Sequence, residues 1–214
     1  MRPGVGIFAV VLAASSAAGA ADSWADKLVA GARLSLERAP RYTQRYVRLD
    51  YPDGDPGWEI GACTDVVVRA LRHADLDLQQ AVHADVKRAP AAYPSEPAPD
   101  RNIDHRRARN LSVYFERHAA SLPPEDFRPG DIVVWDLRGG TSVNHIGMIS
   151  DRLAASGRPL VIHHYPIALE PGNRDRVPNE EDVLERWRIL GHYRLDEAAA
   201  RRLAPEARGD PVGP

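Results

Sequence analysis

The 214-residue chain carries a single cysteine, Cys63. With no second thiol it closes no internal disulfide, and an unpaired thiol in an exported protein risks oxidation, which hints that it is kept for use. The sequence holds eight histidines but no H-E-x-x-H, no H-x-H pair and no C-x-x-C spacing, so the usual signatures of a zinc site are missing. Cys63, His145 and His163 are able to share a metal, yet nothing in their spacing demands one, and no cofactor is expected. Charge of one sign is also lacking: the formal net charge is −2, which gives no general electrostatic case for nucleic acid or an anionic surface. After the N-terminal region no apolar run is long enough to cross a bilayer. There are no internal repeats.

What is present begins with the layout of a secretory signal peptide over residues 1–20. A short basic start precedes an apolar run from Val5 to Ala14, and Ala18-Gly19-Ala20 offers small residues for cleavage. No cysteine follows this run to accept a lipid. The expectation is a periplasmic or secreted protein with no stable membrane insertion after cleavage. About 190 residues then remain, enough for one domain with a real core.

Helical spacing of Trp24, Leu28, Ala32 and Leu36 marks an N-terminal helix within residues 21–39. Arg41 to Asp50 alternates as a short strand or extended segment, and Tyr51 to Pro56 is a turn cluster. The pattern predicts a helix from Cys63 to about His73, a second from about Leu76 to Arg88, a proline-rich connection from Ala89 to Pro99, and a helical stretch from Leu111 to His118. From Leu122 the character changes. Strands are expected at 131–135, 144–150, 159–165 and 188–194, joined by short polar connections. A loop is expected from Pro166 to Pro178, a helical turn from Glu180 to Trp187 and a flexible tail over 196–214. Helices first and an antiparallel meander afterwards make an α+β layout, with one domain over 40–195.

Cys63 follows Gly61 and precedes an apolar helical run, so it stands at a helix start. There the free N–H groups and the helix dipole favour a thiolate, the form that acts as a nucleophile. A buried, inert cysteine is the alternative. His145 opens one strand and His163 lies near the end of its neighbour; in a simple hairpin the two are opposed on one face. If the Cys63 helix packs on that face, the three form a nucleophile, a base and an orienting residue, with the Cys63 N–H as oxyanion donor. His163 and His164 alternate, so at most one of them joins. The loop before Cys63 offers Tyr46 and Tyr51 as contacts or as packing. Asp104, His105, Arg106 and Arg107 crowd one segment. They form either a structural ion-pair network, the commoner role, or a guanidinium presented to an anionic substrate group. Tyr51, Asp65, Asp104, His105 and Arg106 are therefore the candidate substrate contacts.

The set Cys63, Pro129-Gly130-Asp131-Ile132-Val133-Val134-Trp135, His145-Ile146-Gly147-Met148-Ile149 and Val161-Ile162-His163 resembles the NlpC-type papain-like cell-wall hydrolases. More narrowly, Cys63-Thr64-Asp65-Val66, Asn102 to Arg107, Asn110-Leu111, Pro129 to Val133 and Gly191-His192-Tyr193-Arg194 are similar to the YijF-like family of exported bacterial proteins over about residues 40–195. The resemblance implies a papain-like fold with N-terminal helices packed on an antiparallel sheet. It also implies a cysteine peptidase or amidase that cleaves peptidoglycan stem peptides or cross-links, with catalytic roles for Cys63, His145 and His163. One departure stands out: the usual D-C-S-G is here Ala62-Cys63-Thr64-Asp65, so the acidic residue has moved to the far side of the cysteine. The alternative is a non-catalytic module that binds a wall peptide in the same cleft.

Overall fold

The computed structural model describes residues 23–38, 41–94, 98–165 and 179–203. The expected signal peptide, the loop at 166–178 and the last residues of the tail lie outside them. In chain order the elements are α1 (Trp24–Arg38), β1 (Arg41–Tyr42), β2 (Ile60–Gly61), α2 (Cys63–His73), α3 (Leu78–Arg88), α4 (Ala108–His118), β3 (Ala120–Ser121), β4 (Ile132–Asp136), β5 (His145–Leu153), β6 (Pro159–His163), β7 (Asn179–Glu181), β8 (Arg188–Arg194) and α5 (Glu197–Leu203). The α+β class holds: six strands form one antiparallel sheet in the order β3-β8-β4-β5-β6-β7. No described helix is long and apolar enough to cross a membrane.

Alternation along the strands gives the sheet two apolar faces. Ile132, Val134, Ile146, Met148 and Ile162 pack against Leu28 and Ala32 of α1, Val66, Val67 and Leu71 of α2, and Leu111 and Phe115 of α4. Val133, Trp135, Ile149 and Val161 form a smaller cluster on the other face, under Val183, Leu184 and Trp187. Burying apolar surface on both sides explains why β4 is hidden and reads as a continuous apolar run from Ile132 to Trp135.

Of the segment Arg41–Asp50, expected as a short strand or extended stretch, Arg41 and Tyr42 pair in parallel with Ile60 and Gly61. Two expectations need correction. Glu180 and Glu181 belong to β7 rather than to a helical turn. The Glu180 carboxylate accepts from Arg33 of α1 at 2.7 Å and Arg152 of β5 at 3.0 Å, and these ion pairs hold the short strand at the sheet edge. The tail is helical over Glu197–Leu203, where Ala200 is buried against the larger core.

The turn-and-strand motif around Asp131 and the one around His192 answer each other. Gly130 takes φ +85°, a conformation that suits glycine, and turns the chain into β4. Asp131 is then buried, accepting from His192 Nε2 at 2.9 Å and from Arg194 Nη2 at 2.7 Å on the neighbouring β8. Their part is structural, a cross-strand ion cluster.

Asp85 of α3 makes the fold acid-sensitive. It is buried, which by itself raises its carboxyl, but hydrogen bonds from Arg117, Tyr93 and His118 outweigh burial and hold it down at about 2. An unfolded aspartate titrates near 3.9. Asp85 therefore contributes stability that is full above about pH 4 and lost as pH falls through about 2. In urea unfolding series between pH 5 and pH 2, Asp85→Asn is expected to flatten that fall.

Candidate active site

Cys63 is the first residue of α2, and Ala62 before it is extended and has no hydroxyl or carboxylate with which to cap the helix. Asp65 supplies an acceptor instead: its Oδ2 takes the Ala62 N–H at 2.6 Å. The same carboxylate is paired in both oxygens with Arg106, Nε to Oδ1 at 2.9 Å and Nη2 to Oδ2 at 3.0 Å. Both partners are buried. Thr64 Oγ1 adds a bond to the Arg106 carbonyl at 3.3 Å, so the turn at Asp104–Arg106 is clamped to the start of α2.

The Cys63 side chain is 4 % exposed. Burial raises its thiol to about 11, and the nearby Asp65 charge adds to the rise, while the backbone N–H groups of Ile146, Thr64 and Cys63 itself pull the other way. A resting thiolate, expected from the helix start alone, is thus corrected: burial outweighs the helix terminus. Tyr42 of β1 brings its hydroxyl to the sulfur and accepts from Gln44 Nε2 at 2.7 Å. The parallel pairing of Tyr42 with Gly61 places that hydroxyl two residues from the cysteine.

His145 and His163 meet, by a different register than expected. His163 pairs with Gly147, and His145 pairs with Trp135, so the two histidines are diagonal neighbours on one face. Gly147 makes the diagonal possible: a Cβ there would lie 3.0 Å from the His163 Cβ and 2.8 Å from Val161. His145 Nε2 lies 2.9 Å from His163 Nδ1, and His163 Nε2 lies 3.2 Å from Glu181 Oε1. A carboxylate only accepts, so His163 carries its proton on Nε2, and its Nδ1 accepts from His145 Nε2–H. His145 Nδ1 is left as the unprotonated nitrogen, and it has no hydrogen-bond partner among the described residues. Both rings are fully buried among Trp135, Tyr165 and Trp187. Burial, then the neighbouring His163 and His164, hold His145 well below the usual imidazole range.

The expectation that α2 packs on the histidine face is also corrected. Its apolar side lies on the Ile146 and Met148 face, whereas His145 and His163 share the opposite face with Trp135 and Trp187. The thiol comes to the sheet from the end of the strands. Its sulfur is close to the Ile146 N–H, one residue past the last β5–β6 pair at Gly147 and one residue after His145. His164 also approaches from this end, its ring edge-on to Tyr42 at 5.0 Å. Both adjacent histidines therefore border the site, although only His163 bonds to His145.

A cleft of about 410 Å³ opens beside Cys63. Arg106 lines it, as do Gln44, Arg107, Arg109 and Asn144, but Tyr51, Asp65, Asp104 and His105 do not. Tyr51 packs edge-on to His83 at 5.8 Å and under Arg101. Asp104 is buried and binds His83 Nδ1 and the Asp100 N–H, each at 2.9 Å. His105 is buried, and that burial lowers it to about 3. Of this segment, Asp104 and Arg106 are tied into the fold, by His83 and by Asp65 respectively, in keeping with the structural-network reading. Tyr46 faces solvent and bonds Asp100 at 2.9 Å. Sequence reasoning does not reach Glu181, Tyr42 or Gln44: each lies in a segment without a motif, Glu181 and Tyr42 being placed by strand pairing and Gln44 following directly after β1.

Residues 29–195 match the family model described as Domain of unknown function (DUF1287). The chain is 44% identical over 171 residues to "Uncharacterized protein YijF" of Escherichia coli (strain K12), covering 77% of this chain and 78% of that protein. The match spans Cys63, His145, His163 and Glu181 alike, and the chain belongs to the DUF1287 family.

Proposed function

We propose that this protein is an exported cysteine hydrolase of papain-like, NlpC-type architecture that cleaves an amide bond in peptidoglycan stem peptides or cross-links. The observation that carries the reading is the chain Glu181–His163–His145, which leaves one imidazole nitrogen unengaged at the strand end where the Cys63 sulfur lies. In the reaction, His145 Nδ1 takes the thiol proton as the sulfur attacks the amide carbonyl, and the imidazolium protonates the departing amine. Water attacks the resulting thioester, giving its proton to His145, and the thiol is restored. His163 and Glu181 fix the tautomer and steady the charge on His145. The Cys63 N–H is the oxyanion donor in this scheme. Resting burial keeps thiol and imidazole neutral, so the proton moves with the bond-making step. The leader at residues 1–20 would deliver the protein to the periplasm or the exterior, where wall peptides are.

A second reading has an observation of its own. A cysteine held in the thiol form by burial suits a non-catalytic module that binds a wall peptide in the cleft. Muropeptide mass analysis separates the two. Purified peptidoglycan is incubated with the mature protein and with Cys63→Ala, each with and without a chelator. New fragments from the native protein alone, unaffected by chelation, are the expected result. An unchanged wall, with both proteins sedimenting with it, would leave the binding module.

A further inference from the structure

β7 carries two adjacent carboxylates, Glu180 and Glu181. Strand alternation sends them to opposite faces of the sheet. Glu181 pairs with Val161 and Glu180 with Ile162, and those partners belong to the two different apolar clusters. Glu181 lies on the side of His163, whose Nε2 is 3.2 Å from its Oε1. Glu180 lies on the helix side, where Arg33 of α1 donates from Nη2 to its Oε1 at 2.7 Å. The same guanidinium binds Ser150 Oγ at 3.1 Å and both oxygens of Asp151, and Ser150 Oγ donates in turn to Glu180. Burial would raise the Glu180 carboxyl, but the bonds from Arg33 and Ser150 hold it below its ordinary range, so the anchor stays charged. Arg152 also reaches Glu180, yet its side chain is 65 % exposed against 21 % for Arg33, and water screens an exposed pair. Arg33 is the stronger grip. Asp182, bonded to Arg158 Nη2 at 2.9 Å, holds the chain after Glu181, and Arg33 holds it before. Through α1 the grip is tied to the thiol as well. Gly31 sits so close to α2 that a Cβ there would lie 2.9 Å from the Ala70 Cα, and α2 begins with Cys63.

Resting on the amide-hydrolase reading above, we propose that Arg33 is a positioning residue for the proton chain: by gripping Glu180 it holds the next carboxylate, Glu181, against His163. Held there, Glu181 keeps the His163 proton on Nε2 and leaves Nδ1 to accept from His145. Without the grip the edge strand shifts and the bond from His163 to Glu181 lengthens. The His163 proton then also visits Nδ1, where it opposes the His145 Nε2–H, and His145 loses the tautomer that turns a bare Nδ1 to the thiol. Arg33 acts only through these two carboxylates, from the far face of the sheet.

Nitrogen NMR of histidine-labelled mature protein reads which ring nitrogen carries the proton, with the His163 signals assigned by their loss in His163→Asn. The native protein is expected to show a protonated Nε2 and a bare Nδ1. In Arg33→Gln the two signals are expected to move towards each other, as in Glu181→Gln, whereas Arg33→Lys keeps a cation at Glu180 and the native pattern. Glu180→Gln removes the other half of the grip and should match Arg33→Gln, so the test stands even where one of them fails to fold. Iodoacetamide labelling of Cys63 at pH 7 then separates positioning from stability. It is expected to slow by at least about threefold in Arg33→Gln and in Glu181→Gln, and no further in the double variant, because both act through one bond. Losses that add in full, or His163 signals unchanged in both Arg33→Gln and Glu180→Gln, would overturn the proposal. The NMR signals need no turnover. A His163 pattern that depends on Arg33 in a protein that never cleaves wall would retire the hydrolase reading alone, and cleavage untouched by Arg33→Gln would retire the positioning role alone.

Discussion

Cys63→Ala is expected to lower amide cleavage by about 10⁴-fold or more, since a nucleophile and its base act as one unit and removing either takes away most of the rate. The substitution deletes a single sulfur from a site held by other bonds, so the protein should stay folded, which circular dichroism checks. His145→Gln is expected to cost about 10²- to 10⁴-fold, the range for a positioned general base. Smaller losses follow along the chain, with His163→Asn next and Glu181→Gln least. These two groups act through His145, so their variants should lower kcat while KM holds. A purely structural role would lower stability with no such split.

The second large effect concerns stability. Asp65 and Arg106 form a buried pair that also takes the Ala62 N–H, so each substitution strands a charge. Removing one partner of such a pair costs about 3–5 kcal/mol. Arg106→Ala should therefore lower the midpoint of thermal unfolding by roughly 10 °C, given the size of the domain. Asp65→Ala should cost more, because the acceptor at the start of α2 goes with it. A double replacement with apolar residues of similar size, Asp65→Leu/Arg106→Met, is expected to recover most of the loss, since neither charge is then buried alone. A thermal series on the three variants reads this directly. Single variants within about 1 kcal/mol of the native protein would show that the pair does not hold the turn to the helix.

The pair also shows what the sequence could and could not tell. The α2 boundaries, Cys63 to His73, follow from the apolar spacing after Gly61, and the main strands follow from β-branched runs between turns. These are local patterns, and local patterns are legible. The sense of Asp65 was not. Two residues past the cysteine it reads as a shifted motif acid and a substrate contact, and only Arg106, 41 residues on, turns it into a structural anchor. Glu181 was hidden for the same reason: β7 is three residues long and exists through its pairing with β6 and the ion pairs of Glu180. The resting charge of Cys63 is not legible either: a helix terminus is visible in sequence, whereas the burial that outweighs it is not. The register of His145 and His163 depends on Gly147, whose missing Cβ lets the strands close around the diagonal.

The central claim is that Cys63 and His145 work as one unit, and it meets its most direct test in alkylation of the only cysteine. Iodoacetamide is added to the native protein and to His145→Gln across pH 6 to 11, and the adduct is followed by intact mass. Burial, with the Asp65 charge beside it, outweighs the backbone N–H groups and raises the thiol to about 11. A base able to take its proton during attack should make the native protein label at least about tenfold faster than His145→Gln at pH 7. The two rates should converge as hydroxide removes the proton in both. Equal rates at pH 7 would contradict the coupling, leaving Cys63 an isolated buried thiol and the cleft a binding site.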